Sequence, residues 1–405
     1  MNRSSKNTPS PQDKKQAQPA NPGQPGALRR INIERIVRKI QTDAPITRTD
    51  LVEHTGLSYP TVMKICDLLL ENNFIEWVDD DPQEPSGRGR PASYIQMASS
   101  SSHVIALSFR PSYILGAVAT LNGKTVTELQ CPIPDTYPEI LSSAHQLIKK
   151  LQKDAPTRIL GIGLAAPGLL ETGTQAKLAV SANIPALTDH YIAEDLSELT
   201  HLPSVIVSTM RSLYHSEIIR GYAIDHKNFA ILNYYAGMGV AVADHGHFVE
   251  GSRGMAGELG HIIIERGGEL CGCGNRGCLE TRATDLALAH AISKNLGHPV
   301  SVDEMIELIR KSPSRFEEEI DSMLNYLAIA VGLTINLFNP EAVLLYGRLL
   351  DINPIFFEKL QKKVPACSLK NLADNCSLKK SKSRTIEGAA LAIVDELIKN
   401  LSNKD

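Results

Sequence analysis

Three cysteines within eight residues, Cys271, Cys273 and Cys278, with His261 ten positions upstream, constrain this chain more than any other feature. Three thiolates and an imidazole form the soft-to-borderline donor set of a closed, four-coordinate zinc site. Gly272, Gly274 and Gly277 lie between the thiols, where a loop wrapped around a metal needs positive φ and close backbone approach. The competing reading makes these buried or disulfide-bonded cysteines. Against it, the remaining cysteines (Cys66, Cys131, Cys367, Cys376) are scattered, and the chain reads as intracellular. Four protein donors leave no open coordination position, so one zinc per chain is expected in a structural role. Such a metal would pin Glu258, His261 and Glu280 into one rigid corner. Two carboxylates beside an imidazole are good groups for binding hydroxyls.

At 405 residues the chain is long enough for two or three domains with sizeable cores. A net charge of −3 argues against coating nucleic acid indiscriminately but leaves room for one local basic face. No run approaches the roughly 18 apolar residues of a membrane span. Met1 to Pro25 is polar and rich in Ser, Pro, Gln and Lys, without the apolar stretch of a signal peptide. Residues 1–26 therefore read as a disordered tail, since they have almost nothing to bury, and the location as cytoplasmic.

Between residues 27 and 98 the pattern is helical, then extended. Leu28, Ile31, Ile36, Val37 and Ile40 recur at near-helical spacing among basic residues. Thr47-Arg-Thr-Asp50 matches a capping box with an acid in the third position, Gly56 suits a helix C-terminus, and Ser58 opens a third helix with Pro60 in its first turn. Val62, Ile65 and Leu69 face inward in that helix. Ser58, Tyr59, Thr61 and Lys64 are left on its outer, N-terminal part. A helix, a short Gly-containing turn and a second helix form a helix-turn-helix, whose second helix enters the major groove of DNA. Phe74 to Val78 and Ala92 to Met97 then predict a β-hairpin wing, with Arg88 and Arg90 on a Gly/Pro scaffold suited to a narrow minor groove. A helical packing or dimerisation module is the alternative. The capped turn and the Arg-Gly-Arg-Pro wing favour operator DNA, bound by a homodimer or a dimer of dimers.

From His103 onward strands and helices alternate. Segments 104–107, 114–118, 126–129, 159–164, 204–207, 229–232, 239–242 and 342–346 read as strands, and long helices dominate after Asp285. This is an α/β body (103–405) of two sheet-and-helix lobes with a cleft between them, the default place for a small molecule.

The block Gly257-Glu258-Leu259-Gly260-His261, followed by Cys271 through Glu280, resembles the signature of the ROK family of repressors, open reading frames and sugar kinases. Asn336 to Glu341 and Gly388-Ala389-Ala390 are similar to further family landmarks, and the resemblance runs from about residue 28 nearly to the end. The front end resembles that of the repressor branch, of the glucose, N-acetylglucosamine and xylose type. The resemblance implies an actin-like sugar-kinase fold with a sugar in the cleft and zinc on His261, Cys271, Cys273 and Cys278. It also implies that Glu258, His261 and Glu280 touch sugar hydroxyls, with Gly168 and Asn183 on the other side. His261 would offer one ring nitrogen to metal and the other to ligand.

The same resemblance makes kinase chemistry hard to sustain. Family kinases end the strand 205–207 with an Asn-Asp pair, whose Asp takes the proton from the attacking hydroxyl; here Ser208-Thr209 stand there. The first phosphate loop is replaced by Ser108 to Tyr113, which has no glycine, no acid and a rigid Pro111. The second keeps Gly237 and Gly239 but has Met238 and Ala241. No catalytic residue is assigned. The missing pair also normally holds sugar, so an alternative remains in which Glu258, His261 and Glu280 serve only the zinc corner. The leading expectation is a sugar-responsive repressor of carbohydrate-utilisation genes. The alternatives are a sugar kinase with a regulatory front end, and a DNA-binding regulator that has lost its sugar and answers to a partner protein.

Overall fold

In the computed structural model, residues 25–78, 93–171, 176–224 and 226–402 are described. The front end builds three helices, α1 (Pro25–Asp43), α2 (Arg48–Thr55) and α3 (Tyr59–Glu71), against a small antiparallel sheet in the order β1-β3-β2 (Ile46–Thr47, Tyr94–Met97, Ile75–Val78). The capping box is formed in full: Thr47 accepts from the Asp50 N–H, and the Asp50 carboxylate accepts from Thr47 N–H. Gly56 ends α2 with φ of 66°, as its position in the turn requires. Val62 and Leu69 are fully buried and Ile65 nearly so, as their spacing predicts.

Two details differ from the sequence expectation. Ser58 occupies the N-cap position of α3, but its hydroxyl is bonded to Thr61 Oγ1 at 2.8 Å and makes no cap to a backbone N–H. In α1, which starts at Pro25 inside the stretch expected as a tail, Leu28 and Ile31 are exposed, and Ile33 takes the buried place beside Ile36, Val37 and Ile40. A helix has room for one buried stripe, and α1 turns the later residues toward its neighbours.

The body holds two five-stranded sheets with the same connectivity. In the first, β4 (Ser102–Phe109), β5 (Tyr113–Ala119) and β6 (Thr125–Pro132) form an antiparallel meander. β7 (Arg158–Ala166) and then β10 (Ser204–Ser208) add in parallel on the other side of β4, giving the order β10-β7-β4-β5-β6. A short ladder of β8 (Leu169–Glu171) and β9 (Lys177–Val180), not foreseen, lies between β7 and β10 in the chain. In the second sheet, β11 (Phe229–Asn233), β12 (Gly239–Asp244) and β13 (His247–Phe248) form the meander. β14 (Ala342–Tyr346) and β15 (Ser377–Lys380) add in parallel. All eight residues of β4 are buried, as expected for a strand covered on both faces.

Helices α4 (Tyr137–Asp154) and α5 (Ile192–Thr200) pack on the first sheet, and α6 (Thr209–Arg220) leaves directly from the end of β10. Helices α7 (Asp285–Leu296), α8 (Val302–Lys311) and α9 (Glu317–Phe338) cover the second sheet. The segment Pro313–Phe338 is long and apolar enough to cross a membrane by length and composition. It contradicts the expectation that no run comes close, yet Met323, Leu324, Leu327, Val331 and Ile335 are buried inside the lobe, where α9 serves as a core helix.

The C-terminal helix (Thr385–Ser402) sits unusually close to its surroundings. A Cβ at Gly163 of β7 would lie 1.8 Å from the Ala389 carbonyl oxygen, and one at Gly388 would lie 1.7 Å from that of Ser212 in α6. Only glycine permits either approach. The same helix joins the front end to the body: Ile33, Ile36, Val37 and Ile40 of α1 share one apolar cluster with Val104, Ala106, Ile393, Val394 and Ile398. The Gln41 amide adds a 3.1 Å bond to the Leu121 carbonyl.

Candidate ligand cleft and metal corner

Residues 251–284 contain no strand and only two single 3-10 turns, Leu259–His261 and Leu279–Thr281, so backbone hydrogen bonds and tight turns must shape them. Cys271 N–H donates to Asn275 O (2.8 Å), Gly274 N–H to Cys271 O (2.9 Å) and Gly277 N–H to Glu269 O (2.8 Å). Gly274 and Gly277 have φ of 91° and 78°, and a Cβ on Gly277 would meet the Glu265 carbonyl at 1.6 Å. Gly272, expected to share this conformation, does not: its φ lies outside the positive region.

This loop brings the four expected donors together. One donor atom from each of His261, Cys271, Cys273 and Cys278 lies within 4.8 Å of all the others. Cys271 Sγ is 3.6 Å from His261 Nδ1, and Cys273 Sγ is 3.7 Å from Cys278 Sγ. With metal–sulfur bonds of about 2.3 Å, a tetrahedron sets its sulfurs roughly 3.8 Å apart, so the spacing fits a divalent ion. Burial pushes the Cys271 and Cys278 thiols up, whereas the backbone N–H of Asn275 pulls Cys273 down. A cation among the four donors would hold such crowded sulfurs as thiolates.

The corner opens into a cleft of about 240 Å³ between the lobes. Gly168, Asn183, Glu258, His261 and Glu280 all line it, so the five residues expected on two sides of one site do converge. Helix, strand and loop ends supply them separately. Gly168 turns the chain after β7 with φ of 126°, Asn183 follows β9, and the rest belong to the metal loop. Gly237 marks where the lobes meet, because a Cβ there would lie 3.0 Å from Asn183 Nδ2 and 3.5 Å from Glu280 Oε2. The two ring nitrogens of His261 face different neighbours: Nδ1 lies 3.6 Å from Cys271 Sγ and 3.7 Å from Glu280 Oε1, and Nε2 lies 3.6 Å from Glu258 Oε2. Glu280 is shared. Its Oε1 accepts from the Cys271 thiol at 2.9 Å, and its Oε2 from the Met238 N–H at 3.3 Å. Burial raises the Glu258 carboxyl above the usual range, with His261 pulling it down and Glu280 pushing it up.

The opposite end of the cleft is different in kind. Ser208 and Thr209 close β10 as expected. Ser208 caps α6 by accepting from the Arg211 N–H at 3.2 Å, and both residues line the cleft with Met210. The loop after β4 contributes Arg110 and Pro111, facing Tyr235 and Tyr346 from the second lobe. Neither tyrosine stands out in the sequence as a cleft residue. Their positions just beyond β11 and at the end of β14 were the available signal, since cleft ligands gather at strand ends.

On the front end, Ser58, Tyr59 and Lys64 are exposed at the start of α3, and Thr61 is half-buried under the Ser58 hydroxyl. Arg88 and Arg90 lie outside the described residues. Among the basic residues of α1, Arg30 lies 3.8 Å from Glu34, Arg35 donates to the Thr55 carbonyl at 3.1 Å, and Lys39 pairs with Asp43 at 2.5 Å.

Comparison with known proteins agrees with this architecture. The chain is 25% identical over 342 residues to the xylose repressor of Bacillus spizizenii, covering 83% of this chain and 87% of that one. A ROK family transcriptional regulator of known structure, described as a homologue of the E. coli MLC protein, superposes with a TM-score of 0.75 at 24% identity, over 93% of this chain and 99% of its own. A ROK hexokinase from Thermus thermophilus gives a TM-score of 0.58 at 25% identity, over 71% and 97%. Residues 106–395 match the ROK family as a whole. With that match covering well over half its length, and with the cleft and thiol cluster in place, the chain belongs to the ROK family.

Proposed function

We propose that this chain is a sugar-responsive transcriptional repressor of carbohydrate-utilisation genes, acting in the cytoplasm as a homodimer or dimer of dimers. Residues 27–98 would serve as a winged helix-turn-helix on operator DNA, with Ser58, Tyr59, Thr61 and Lys64 at the major groove and Arg88 and Arg90 at the minor groove. Residues 103–405 would bind a sugar through Gly168, Asn183, Glu258, His261 and Glu280. A structural zinc on His261, Cys271, Cys273 and Cys278 would hold that corner in shape.

The observation that carries the proposal is the convergence of those five residues on one cleft whose other end offers no carboxylate at the close of β10, only Thr209. A threonine hydroxyl cannot act as general base near neutral pH, so the cleft is read as binding without phosphoryl transfer. Repression is the activity named for the Bacillus spizizenii relative, and the family match begins at residue 106, after the front end.

The packing also supplies a route between the two functions. Helix α6 starts in the cleft at Thr209 and Met210, and further along it presents Tyr214, His215 and Ile218 to Arg38 and Gln41 of α1 across a cavity of about 400 Å³. His215 lies 3.2 Å from Asp395 of the C-terminal helix. A ligand that moves the start of α6 therefore acts on the helix that carries the front end, provided it binds the two lobe arrangements unequally.

A mobility-shift assay tests the proposal. The full chain is expected to retard DNA from its own promoter region, and a chain lacking residues 1–98 is expected to lose that binding. Operator binding that survives the deletion would overturn the assignment.

A further inference from the structure

Arg110 is out of place in a cleft built only for neutral hydroxyls. Its backbone is fixed by a tight turn, with Arg110 N–H donating to Tyr113 O at 2.9 Å. Its side chain reaches between the lobes, where Nη2 donates to Tyr346 Oη at 3.1 Å and to Thr385 Oγ1 at 2.8 Å. The guanidinium also lies 5.7 Å from the centre of the Tyr235 ring. Nε is shut off from solvent without a hydrogen-bond partner.

No carboxylate forms an ion pair with this guanidinium among the described residues; the groups acting on its charge are Tyr346, Tyr113 and Tyr235. The acids of the cleft are occupied elsewhere: Glu258 faces His261, and Glu280 faces His261, Cys271 and Met238 N–H. Charges drawn out of water in proteins are paired, because an uncompensated ion loses its hydration for nothing. This half-buried guanidinium, its Nε shut off from solvent, has no acid beside it among the described residues. A planar guanidinium with its charge unmatched in a ligand cleft is suited to an oxyanion, which it binds through two parallel hydrogen bonds.

We infer that the effector is an acidic sugar, a monosaccharide whose phosphate or carboxylate group is bound by Arg110 while its hydroxyls meet Glu258, His261 and Glu280. The inference rests on the proposed sugar cleft and names the chemical class that enters it. A cleft of about 240 Å³, below the usual range of about 300–1,000 Å³ for drug-sized ligands, suits one such ring.

The site is also wired to the rest of the molecule. Thr385, which accepts from Arg110, is the first residue of the C-terminal helix; its hydroxyl is bonded to Ser108 Oγ at 2.7 Å and its carbonyl to Ser212 Oγ of α6 at 2.5 Å. An anion competing for the guanidinium loosens its bond to Thr385. Thr385 thus couples the ligand's charge to the two helices that pack against α1.

Calorimetry on the zinc-loaded full chain tests this. Glucose, N-acetylglucosamine and xylose are compared with their terminal phosphates, with glucuronate and xylonate, and with inorganic phosphate alone. One acidic form is expected to bind roughly 10- to 100-fold tighter than its neutral parent, the range of a hydrogen-bonded charge pair. The phosphate and carboxylate arms distinguish which oxyanion it is. Arg110→Met should erase that preference and leave affinity for the neutral parent within about twofold, and Arg110→Lys should keep part of it. Equal or tighter binding of the neutral sugars would overturn the inference and leave the sugar-responsive reading standing. Binding of none would overturn both. A folded Arg110→Met protein that keeps the preference would also overturn it, and should that variant not fold, the wild-type comparison of acidic with neutral sugars decides alone.

Discussion

The two ends of the interlobe cleft are held by opposite means. At one end Glu258, His261 and Glu280 are fixed by a loop of turns and thiols that contains almost no regular structure, and the donors that shape it lie close in sequence. At the other end Thr209, Arg110, Tyr235 and Tyr346 stand at the ends of strands from both sheets, and their contacts reach far along the chain. The first end presents two carboxylates and an imidazole, groups suited to hydroxyls. The second has none of the acid and little of the glycine that phosphoryl transfer uses, and carries a cation instead. On the proposed function, recognition and phosphoryl transfer would be separable here, because the two ends of the cleft are built from separate pieces of backbone.

The largest effect should follow from removing the metal corner. Cys273→Ala is expected to abolish the bound zinc, found at about one per chain in the parent by elemental analysis. It should lower the melting temperature by roughly 5–10 °C, since binding energy at a structural site is folding energy. Sugar binding should vanish with the metal. A variant that keeps both metal and affinity would show that the thiols do not hold this end of the cleft.

A smaller change should follow at the carboxylate beside the imidazole. Glu258→Gln is expected to weaken sugar binding roughly tenfold, the worth of one charge-assisted hydrogen bond, and to leave operator affinity in the absence of sugar unchanged. Calorimetry and mobility shift on the same preparation check both halves.

Last comes an effect on stability alone. Asp285, buried at the start of α7, accepts from the N–H groups of Arg348 (2.6 Å) and Leu349 (3.1 Å), just past the strand that ends in Tyr346. Burial raises its carboxyl to about 7, although those two backbone bonds pull it down. The folded state thus holds this proton more tightly than the unfolded chain. The resulting stability is complete below the unfolded pKa near 4 and is lost as pH rises through about 7. Melting temperature should fall over that window, and Asp285→Asn should flatten the slope without altering sugar affinity.

How much of this was legible beforehand follows the same division. The metal corner could be read because Cys271, Cys273 and Cys278 are neighbours in sequence and the chemistry of thiols is specific. The central strands could be read because buried strands are continuous apolar runs, as in 104–107 and 342–345. The edge strands β13, of two residues, and β15, mostly exposed, carry no such run and were missed. The position of Arg110 could not. Its environment is made by Tyr346 and Thr385, 236 and 275 residues away, and only the folded chain shows that the loop's missing glycines are replaced by a half-buried cation. The shared core of front end and body was equally hidden, because Ile33 and Ile40 look like ordinary helix interior until Ile393 and Ile398 are set against them. Leu28 and Ile31, apolar and at the right spacing, still lie on the outside of α1.

The proposed function is sugar binding in this cleft, reported to DNA without chemistry. It is tested most directly in one tube: full-length protein, labelled operator DNA, Mg²⁺-ATP and a sugar panel spanning neutral and acidic forms, with operator occupancy and ATP consumption followed together. One sugar is expected to lower operator affinity by roughly 5- to 150-fold, the usual scale of coupling between sites, while ATP stays intact. ATP consumed in step with phosphorylation of the sugar, or operator affinity unmoved by every sugar, would contradict it.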